Sequence, residues 1–432
     1  MGTFSFEPCE DGIRLTAWSG PETELEIPET IDGKKVRVLG TMMFFEKGSH
    51  LTRLWLPDSI RIIEADALEG CADLEDLILN EGLISLGREF AGMCSLKEVR
   101  IPASVSMIDE VSSLDFRLQF EPGGSYWTDG FGIYHKTAEG IVFAGIQPGD
   151  ERISYAIQEG TVKIERRALD RRNNLQSLSL PATLKEIAPG SLFATGDGFA
   201  KRRGIRDFSI AAGNSFFAVQ NSMLYQKNEA GKNLLAYTGE EKEITLDDSF
   251  EAIERLSFFR SPVHQVIFPD ARIRIAENAF LDCELEEAVF PGFHILFPKH
   301  HEMLRQELLA CFGRNGTLFD WNRYDRAMKV SFLSAERVRL LSARLRWPEG
   351  LSETFRASFF QLLSEKLEEA CALADEADDS DSILRLAECG LITRENLDDC
   401  LQHMISGNPG PSAALLAWSA SHLPSDSDDF SL

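Results

Sequence analysis

Apolar residues recur along this chain in a seven-residue pattern, Leu-x-x-Leu-x-Leu-Pro, first seen complete at Leu51–Pro57. Apolar and polar positions alternate within the pattern, as in a β-strand with one buried face. Close copies lie at 74–80, 96–102, 175–181, 263–269 and 285–291, and looser copies end at Pro28, Glu121, Gln158, Ala211 and Asp247. Copies ending at residues 57, 80 and 102 are spaced 23 and 22 residues apart. Such a constant period predicts a repeat protein with one short strand per tier.

Two further apolar columns follow each strand. The first contains Ile63, Leu86, Ile108, Ile164, Ile187, Ile253 and Ile275. The second contains Leu68, Phe90, Leu169, Leu192, Phe258 and Phe280. One tier cannot bury these side chains alone, whereas stacked tiers bury them against one another. The sequence therefore predicts a solenoid whose eleven strands line up in one strip.

Two longer spacings between successive copies interrupt the period, one from residue 121 to 158 and the other from 211 to 247. They resemble each other, because 131–136 matches 222–227 and 142–144 matches 234–236. Two short apolar runs around a polar turn that contains glycine are typical of a β-hairpin. We therefore predict that each step carries a hairpin projecting from the stack.

The tiers resemble the BspA-type leucine-rich repeat of bacteria and some protozoa. The residues that carry the resemblance are Leu56-Pro57-Asp58-Ser59-Ile60, Ile63, Ala67-Leu68, Gly70-Cys71 and Ala279-Phe280-Leu281-Asp282-Cys283. The resemblance covers about residues 4–295 and departs from the family at Asn80, Gln158 and Asp247, where proline is absent. It implies a curved parallel sheet and a role in protein binding or adhesion. The family has no catalytic residues to transfer, so we expect that the chain is not an enzyme.

Beyond residue 300 the strand pattern gives way to apolar residues at helical spacing. Helices are predicted over Met303–Phe312, Ala335–Leu345, Phe355–Leu373, Ser382–Cys389 and Arg394–Ile405. The acidic turn 378–381 can cap the helix after it, and the sequence Asn408-Pro409-Gly410-Pro411 is predicted to end another helix. These helices form either a compact bundle or a short α-solenoid.

The predicted fold is therefore an α/β-type repeat: a leucine-rich-repeat solenoid with a parallel β-sheet and two β-hairpin insertions, followed by an all-α domain. The predicted boundaries are a cap segment over 1–50, the solenoid over 51–295, the helical domain over 300–423 and an acidic disordered tail over 424–432.

Charge and composition restrict the partners. With 44 Lys and Arg against 69 Asp and Glu, the net charge is −25, which disfavours nucleic acid and anionic membranes. No window approaches eighteen consecutive apolar residues, so no membrane span is expected. Residues 1–6 lack the basic and apolar regions of a secretory signal. We therefore expect a cytoplasmic protein, or a cell-surface protein if a signal peptide precedes this sequence.

Motifs for metal, cofactor or nucleophile chemistry are weak. His300-His301-Glu302 does not continue as a zinc-protease motif, because Arg305 stands where the second histidine is needed. Cys71, Cys94 and Cys283 occupy matching tier positions, which favours packing over reactivity. We predict no catalytic residue, no metal and no cofactor.

The outward face of the strands is the candidate binding surface. If Leu54 and Leu56 are buried, Arg53 and Trp55 point outward, and the same register applies to every strand. The candidate protein-binding residues are Arg53, Trp55, Asp76, Ile78, Glu98, Arg100, Asp207, Gln265, Ile267, Glu287 and Val289. The first outward column is mostly acidic, which favours a partner with basic groups.

Two apolar pairs, Trp55 with Ile78 and Ile267 with Val289, lie at opposite ends of this strip. Neighbouring exposed apolar side chains indicate an interface, unless the cap segment and the helical domain cover the two ends. A candidate basic patch contains Arg166, Arg167, Arg171, Arg172, Lys201, Arg202 and Arg203. It binds an acidic partner segment or the protein's own acidic tail, or it is solvated surface charge.

Two functions remain open from the sequence. The first is a non-catalytic protein–protein interaction or scaffold protein that uses the leucine-rich-repeat surface. The alternative is a bacterial cell-surface adhesin of the BspA type. The partner's identity and the oligomeric state stay undetermined.

Overall fold

The computed structural model describes residues 2–45, 50–169, 174–193, 205–329 and 332–423. The chain divides into two compact units, Met1–Lys227 and Asn228–Leu432, called here the N-terminal and C-terminal units. Both contain tiers of a parallel β-solenoid, as predicted, and eight helices follow the last tier within the described residues. The domain boundary near residue 295 and the acidic tail stay predictions, since 424–432 lies outside the described residues.

The N-terminal unit begins with a small cap. Its strands are β1 (Thr3–Cys9), β2 (Gly12–Ser19), β3 (Glu24–Glu26), β4 (Thr30–Ile31) and β5 (Lys34–Leu39). β1 and β2 are antiparallel, and β2 pairs in parallel with β5. Ile13, Leu15 and Trp18 on β2 are buried in the same core as the first tiers. The cap therefore covers apolar side chains that the first tier cannot bury alone.

Every copy of the seven-residue pattern in this unit forms a short strand, called here a repeat strand. Besides β3, these are β6 (Arg53–Trp55), β8 (Asp76–Ile78), β10 (Glu98–Ile101), β12 (Arg117–Phe120), β16 (Ser154–Ala156), β18 (Ser177–Leu180) and β20 (Asp207–Ile210). Equivalent positions pair in register, so that Arg53 lies opposite both Glu24 and Asp76. The hydrogen-bonded ladder is divided into the groups β3-β6-β8, β10-β12 and β16-β18-β20.

The return path of each tier contributes a second strand, which the sequence analysis did not predict. These return strands are β5, β7 (Ile62–Ile63), β9 (Ser85–Leu86), β11 (Met107–Ile108), β17 (Thr161–Ile164) and β19 (Glu186–Ile187). Their inward residues include Ile63, Leu86 and Ile164, all fully buried. Ile187 is only half-buried, because β19 is the edge strand of its sheet in the described residues.

The first insertion contains β13 (Tyr126–Thr128), β14 (Gly132–Lys136) and β15 (Ile141–Ile146). β14 and β15 form the predicted antiparallel hairpin. The hairpin does not project from the stack, because β15 pairs in parallel with β17 and so takes the place of a return strand. Its side chains explain this position: Ile133, Tyr134 and Phe143 are buried.

Polar side chains of this insertion form hydrogen bonds with the last strands of the two preceding ladders, β11 and β12. The Tyr126 hydroxyl accepts the amide proton of Ile108 at 3.0 Å. The buried Gln147 amide accepts from the Leu118 nitrogen at 3.0 Å and donates to the Leu118 carbonyl at 2.7 Å. These bonds occupy the positions that a neighbouring strand would fill, so the buried backbone groups stay paired.

The second insertion supplies β21 (Phe217–Gln220) and β22 (Met223–Lys227) to the N-terminal unit, where they pair in an antiparallel manner. In the C-terminal unit it supplies β23 (Lys232–Tyr237), which pairs in parallel with the return strand β25 (Phe250–Ile253). Both strands of the predicted second hairpin are therefore present.

The remaining tiers lie in the C-terminal unit. Their repeat strands are β24 (Glu243–Thr245), β26 (Gln265–Ile267) and β28 (Glu287–Phe290), the last return strand is β27 (Arg274–Ile275), and β29 (Phe293–Leu296) pairs antiparallel with β28. Aromatic rings stack from tier to tier. Phe258 and Phe280 lie 4.8 Å apart with nearly parallel planes, and Phe268 and Phe290 lie 4.3 Å apart. These apolar columns form the core of this unit's tiers.

The helices that follow are α1 (Glu302–Leu309), α2 (Trp321–Met328), α3 (Ala335–Arg346), α4 (Glu353–Glu365), α5 (Leu367–Glu376), α6 (Ser380–Glu388), α7 (Leu397–His403) and α8 (Pro409–His422). The predicted cap is confirmed, since the Asp379 side chain accepts the amide proton of Ser382 at 3.0 Å. None of these described helices is long and apolar enough to cross a lipid bilayer.

Three helix predictions need correction. The helix expected over Phe355–Leu373 is two helices, α4 and α5, because Lys366 leaves helical geometry. The Asn408–Pro411 segment starts a helix rather than ending one, since Pro409 occupies the first turn of α8, where its missing N–H costs nothing. Helix α2 was not predicted. It carries a buried charge, Asp325, that interrupts the apolar pattern.

That buried charge is fully paired. Arg344 on α3 donates to the two Asp325 oxygens at 2.6 and 3.1 Å, and their side chains are 3% and 1% exposed. Arg344 also donates to the carbonyls of Trp347 and Glu349, each at 2.8 Å. Its guanidinium lies 4.2 Å from the centre of the Trp321 ring. A buried pair with this many hydrogen bonds joins α2, α3 and the loop after α3.

Candidate interaction surface

The outward positions of the repeat strands, called here the strand face, lie where the sequence placed them. On β6, Leu54 is buried, while Arg53 and Trp55 are half-buried and point outward. Ile78, opposite Trp55 on β8, is 40% exposed. The Arg53 guanidinium lies 5.4 Å from the centre of the Trp55 ring. The structure therefore brings three predicted residues together in one partly apolar patch, with a cation held against the indole.

The first outward column is less acidic than its composition indicates. Arg53 bridges two carboxylates, with Nη2 2.7 Å from Asp76 and Nη1 3.6 Å from Glu24. The hydrogen bonds that Arg53 donates to Asp76, together with the charge of that carboxylate, raise the pKa of Arg53. These exposed contacts neutralise part of the negative charge but stabilise the fold little. The accessible feature at this end is therefore the Trp55–Ile78 pair.

The middle groups of the strand face are polar. Gln119 donates to Glu98 at 2.5 Å, and Arg100 forms an ion pair with Glu121. On the next group Ser179 and Ser209 share a hydrogen bond of 2.7 Å, and Ser177 donates to the exposed Asp207 at 3.5 Å. No large apolar side chain is exposed at these outward positions among the described residues. These strands therefore offer hydrogen bonds but no hydrophobic anchor.

The strand face of the C-terminal unit is more covered. Ile267 and Val289 are half-buried, and Val289 pairs with His294 on β29. The Trp347 ring, from the loop after α3, stacks on His294 with a centroid distance of 4.2 Å. This geometry agrees with the alternative that the helical segment covers this end.

Gln265 and Glu287 also take part in internal contacts. Gln265 donates to Glu287 at 2.7 Å, and His294 Nδ1 lies 2.6 Å from the other Glu287 oxygen. Burial acts to raise the pKa of Glu287, but these hydrogen bonds and the nearby positive charge hold it below its usual value. Glu287 is therefore a hydrogen-bond partner of His294 within the fold rather than a free anion on the strand face.

Only part of the candidate basic patch can be described. Arg166 is exposed, whereas Arg167 is half-buried and its Nη1 lies 2.9 Å from a Glu110 oxygen. Arg171, Arg172, Lys201, Arg202 and Arg203 lie outside the described residues. One of the two described members is therefore already neutralised within the fold.

Sequence reasoning missed a second group of exposed apolar side chains, on the return strands of the N-terminal unit. Ile62, Ile84 and Met107 are 40%, 47% and 56% exposed. Ile62 and Met107 both pair with Ser85, and Ile84 directly precedes it. Recognising 62–63 and 107–108 as strands would have revealed these positions, because residues beside an inward isoleucine point outward.

The described residues contain no group of three or more His, Cys, Asp and Glu side chains able to hold a metal ion. His301 instead caps α1, where its Nδ1 accepts the amide proton of Leu304 at 3.1 Å. Cys71 and Cys283 are buried, and burial raises the pKa of Cys94 and of Cys283 to about 12. Thiols with such pKa values are poor nucleophiles near neutral pH.

The sequence model of the BspA type leucine rich repeat region matches six copies, over residues 23–113 and 226–299. A search of curated protein sequences found no match. Among solved structures, a leucine rich cell surface protein from Faecalibacterium prausnitzii is 16% identical, with 68% of this chain and 95% of that chain covered and a TM-score of 0.36.

Two further solved structures are similar. A leucine-rich repeat protein from Bacteroides capillosus is 31% identical, with 27% of this chain and 94% of that chain covered and a TM-score of 0.24. The pneumococcal vaccine antigen PcpA is 16% identical, with 66% of this chain and 68% of that chain covered and a TM-score of 0.33.

Proposed function

The chain belongs to the BspA-type leucine-rich repeat proteins, and on that premise we propose that it is a non-catalytic protein-interaction protein that binds through the strand face. The observation that supports this proposal is the patch of Arg53, Trp55 and Ile78 on neighbouring strands. Tryptophan and arginine dominate the energetics of many protein interfaces. A half-buried indole beside an exposed isoleucine offers an apolar anchor that the polar middle strands lack.

The chemistry of the partner follows from the charges around this patch. Glu24 and Asp76 flank Arg53, and both carboxylates remain exposed. A partner segment that places an apolar side chain against Trp55 and a basic side chain beside either carboxylate would match the patch. The scaffold role needs a second partner, for which the outward residues Glu98, Arg100 and Asp207 are the available polar positions.

The test is affinity capture with the full chain, with partners quantified by mass spectrometry. The double variant Trp55→Ala with Ile78→Ser removes the apolar anchor. The matched control, Ser179→Ala with Ser209→Ala, changes two opposite residues of the same outward column on the neighbouring strands β18 and β20. We expect at least one partner to bind the wild type and the control equally and to fall about tenfold or more with the double variant, the loss of a single hot spot.

Circular dichroism and the melting temperature of all three proteins must show that they are folded. If the double variant is folded and retains every partner, the strand face at β6 and β8 is not the binding site. The exposed group of Ile62, Ile84 and Met107 would then be the next surface to change.

The alternative function is a cell-surface adhesin. One similar solved structure is described as a cell surface protein, and the comparisons do not support the cytoplasmic location expected from the sequence. Brief protease treatment of intact source cells separates the two locations. Release of peptides from residues 51–295 would favour the surface, and their protection until the cells are lysed would favour the cytoplasm.

A further inference from the structure

Asn315 and Gly316 form the tip of the loop between α1 and α2. Asn315 is the only asparagine in the sequence that a glycine follows directly. Both residues are exposed, and both have left-handed backbone conformations, with φ values of 54° and 73°. The Asn315 side-chain amide makes no hydrogen bond with any described residue. This amide is therefore accessible to a nucleophile and to water.

We propose that Asn315 is a deamidation site, at which the main-chain nitrogen of Gly316 displaces the side-chain nitrogen as ammonia. The Gly316 nitrogen loses its proton and forms a bond to Asn315 Cγ, the Cγ–Nδ2 bond breaks, and ammonia leaves with that proton. The product is a five-membered succinimide ring. Water then opens the ring at Cγ to give aspartate, or at the main-chain carbonyl carbon to give isoaspartate. No electrons are transferred, and water is the only co-reactant.

The glycine after Asn315 makes this asparagine reactive. A side chain on the following residue would crowd the attacking nitrogen, and glycine has none. A Cβ added at Gly316 would meet no other atom within 4 Å, so no neighbouring group encloses the tip. The loop therefore leaves both the attacking nitrogen and the succinimide ring unhindered.

The reaction requires a local rotation of the tip. Asn315 has a ψ of 27°, which turns the Gly316 nitrogen away from the side chain, so the chain must first rotate about the Asn315 Cα–C bond. Thr317 closes the tip, with its amide and its hydroxyl both donating to the Arg314 carbonyl, at 3.1 and 2.8 Å. Exposed segments held by few contacts open at a lower free energy than the global fold. We therefore expect Asn315 to react in the folded protein.

The product should weaken the base of the loop. There the Gly313 amide donates to the Leu318 carbonyl at 3.1 Å, and Phe312 pairs with Phe319. Isoaspartate lengthens the main chain at the tip by one methylene group, which disturbs this pairing. Phe312 is 0% exposed and packs against Phe280. The melting temperature should therefore fall as isoaspartate accumulates.

Asn221 provides a matched comparison within the same chain. It is exposed in the turn between β21 and β22 and has a left-handed φ of 50°. Exposure and backbone conformation are thus similar to those of Asn315, but serine follows Asn221. A difference in rate between the two sites reports mainly on the following residue.

The test incubates the folded full-length protein at mildly alkaline pH and follows peptides that contain residues 314–317 or 221–222 by mass spectrometry. Digestion after glutamate leaves both segments uncut. Deamidation replaces NH₂ by OH and adds about 1 Da. We expect Asn315 to react at a rate about tenfold or more above that of Asn221. The product should be a mixture of aspartate and isoaspartate, and methyl transfer by protein-L-isoaspartate methyltransferase identifies the isoaspartate.

Gly316→Ala should slow the reaction at Asn315 about tenfold or more, because the methyl group crowds the attacking nitrogen, and should leave Asn221 unchanged. Alanine at a φ of 73° strains the tip, so circular dichroism must show that the variant is folded. The comparison of Asn315 with Asn221 in the wild type stands even if this variant does not fold.

An intact Asn315 in the folded protein, over a period in which the urea-unfolded protein deamidates there, would overturn the proposal, because the fold would then protect the tip. Equal rates at Asn315 and Asn221 would also overturn it. Aspartate as the sole product would exclude the succinimide ring and with it the attack by Gly316. A constant melting temperature despite isoaspartate formation would refute the effect on the Phe312–Phe319 pairing.

Discussion

Replacing Phe280 by alanine should strongly destabilise the C-terminal unit. Phe280 is 1% exposed; its ring stacks on Phe258 with a centroid distance of 4.8 Å and packs at a tilt against Phe312 with a centroid distance of 5.0 Å. It therefore joins the last return path to the preceding tier and to the chain after α1. Removing a buried phenylalanine costs about 3–5 kcal/mol, and each lost aromatic pair adds about 0.5–1.5 kcal/mol. We expect a loss at the upper end, about 4–5 kcal/mol.

Alanine substitutions at two other positions provide a comparison for this expected loss. Ile187 occupies a related tier column but is only half-buried on the edge strand β19, so Ile187→Ala should cost about 1–2 kcal/mol, below the range for a fully buried isoleucine. Phe360 on α4 is 40% exposed, and Phe360→Ala should cost about 1 kcal/mol or less. The expected loss of unfolding free energy decreases in the order Phe280, Ile187, Phe360, and this order follows from burial rather than from residue type.

The assay is urea unfolding followed by circular dichroism and tryptophan fluorescence, with the free energy of unfolding extrapolated to water. The two probes also report whether the units unfold together or separately. A loss below about 1 kcal/mol for Phe280→Ala would refute the assignment of the tier columns. Such a loss is less than the cost of removing two buried methylene groups from a core. A larger loss for Ile187→Ala than for Phe280→Ala would do the same.

Three further outcomes are expected. Arg344→Leu should destabilise by about 3–5 kcal/mol, because it leaves the Asp325 carboxylate buried without its partner, and adding Asp325→Leu should recover most of that loss in the same urea assay. Glu64→Gln should flatten the acid dependence of stability. The hydrogen bond from Arg14 lowers the folded-state pKa of Glu64, so the stabilisation is complete above about pH 4.5 and disappears as the pH falls through the lower folded value. Melting curves from pH 6 to about pH 3 that run parallel for both proteins would contradict this. Gly70→Ala should lower stability by about 1–2 kcal/mol, since Gly70 has φ +95° and a Cβ there would lie 3.1 Å from the Phe44 carbonyl oxygen. An unchanged melting temperature would argue against this turn.

The tiers were predictable because their signal is repeated. Leu54, Leu77 and Val99 fall on the inward face by alternation alone, and the strand pairing reproduces the expected register. The return strands were missed because two-residue strands such as 62–63 are too short to show alternation. Helix α2 was missed because Asp325 carries a charge on its buried face, a feature that depends on Arg344 far along the chain.

The candidate surface was only partly predictable. Alternation identified Trp55 and Ile78 as outward residues, but it cannot show which of them the rest of the protein covers. The internal bonds of Glu287 depend on His294 and Trp347, which come from a later strand and a later loop. Long-range packing therefore decides which outward residues remain free.

Tyr126 and Gln147 of the first insertion form a junction with the ends of the preceding strand ladders, and this junction has an evolutionary consequence. Both side chains bond to main-chain groups, at Ile108 and Leu118, and main-chain groups are the same whatever residue a strand carries. These hydrogen bonds therefore make few demands on the side chains of the tiers that precede the insertion. Duplication or deletion of a whole tier upstream would present the same amide and carbonyl groups to the same two side chains. A lineage carrying this junction can change its number of tiers by unequal recombination, and with it the length of its strand face, without having to evolve a new way to end the sheet.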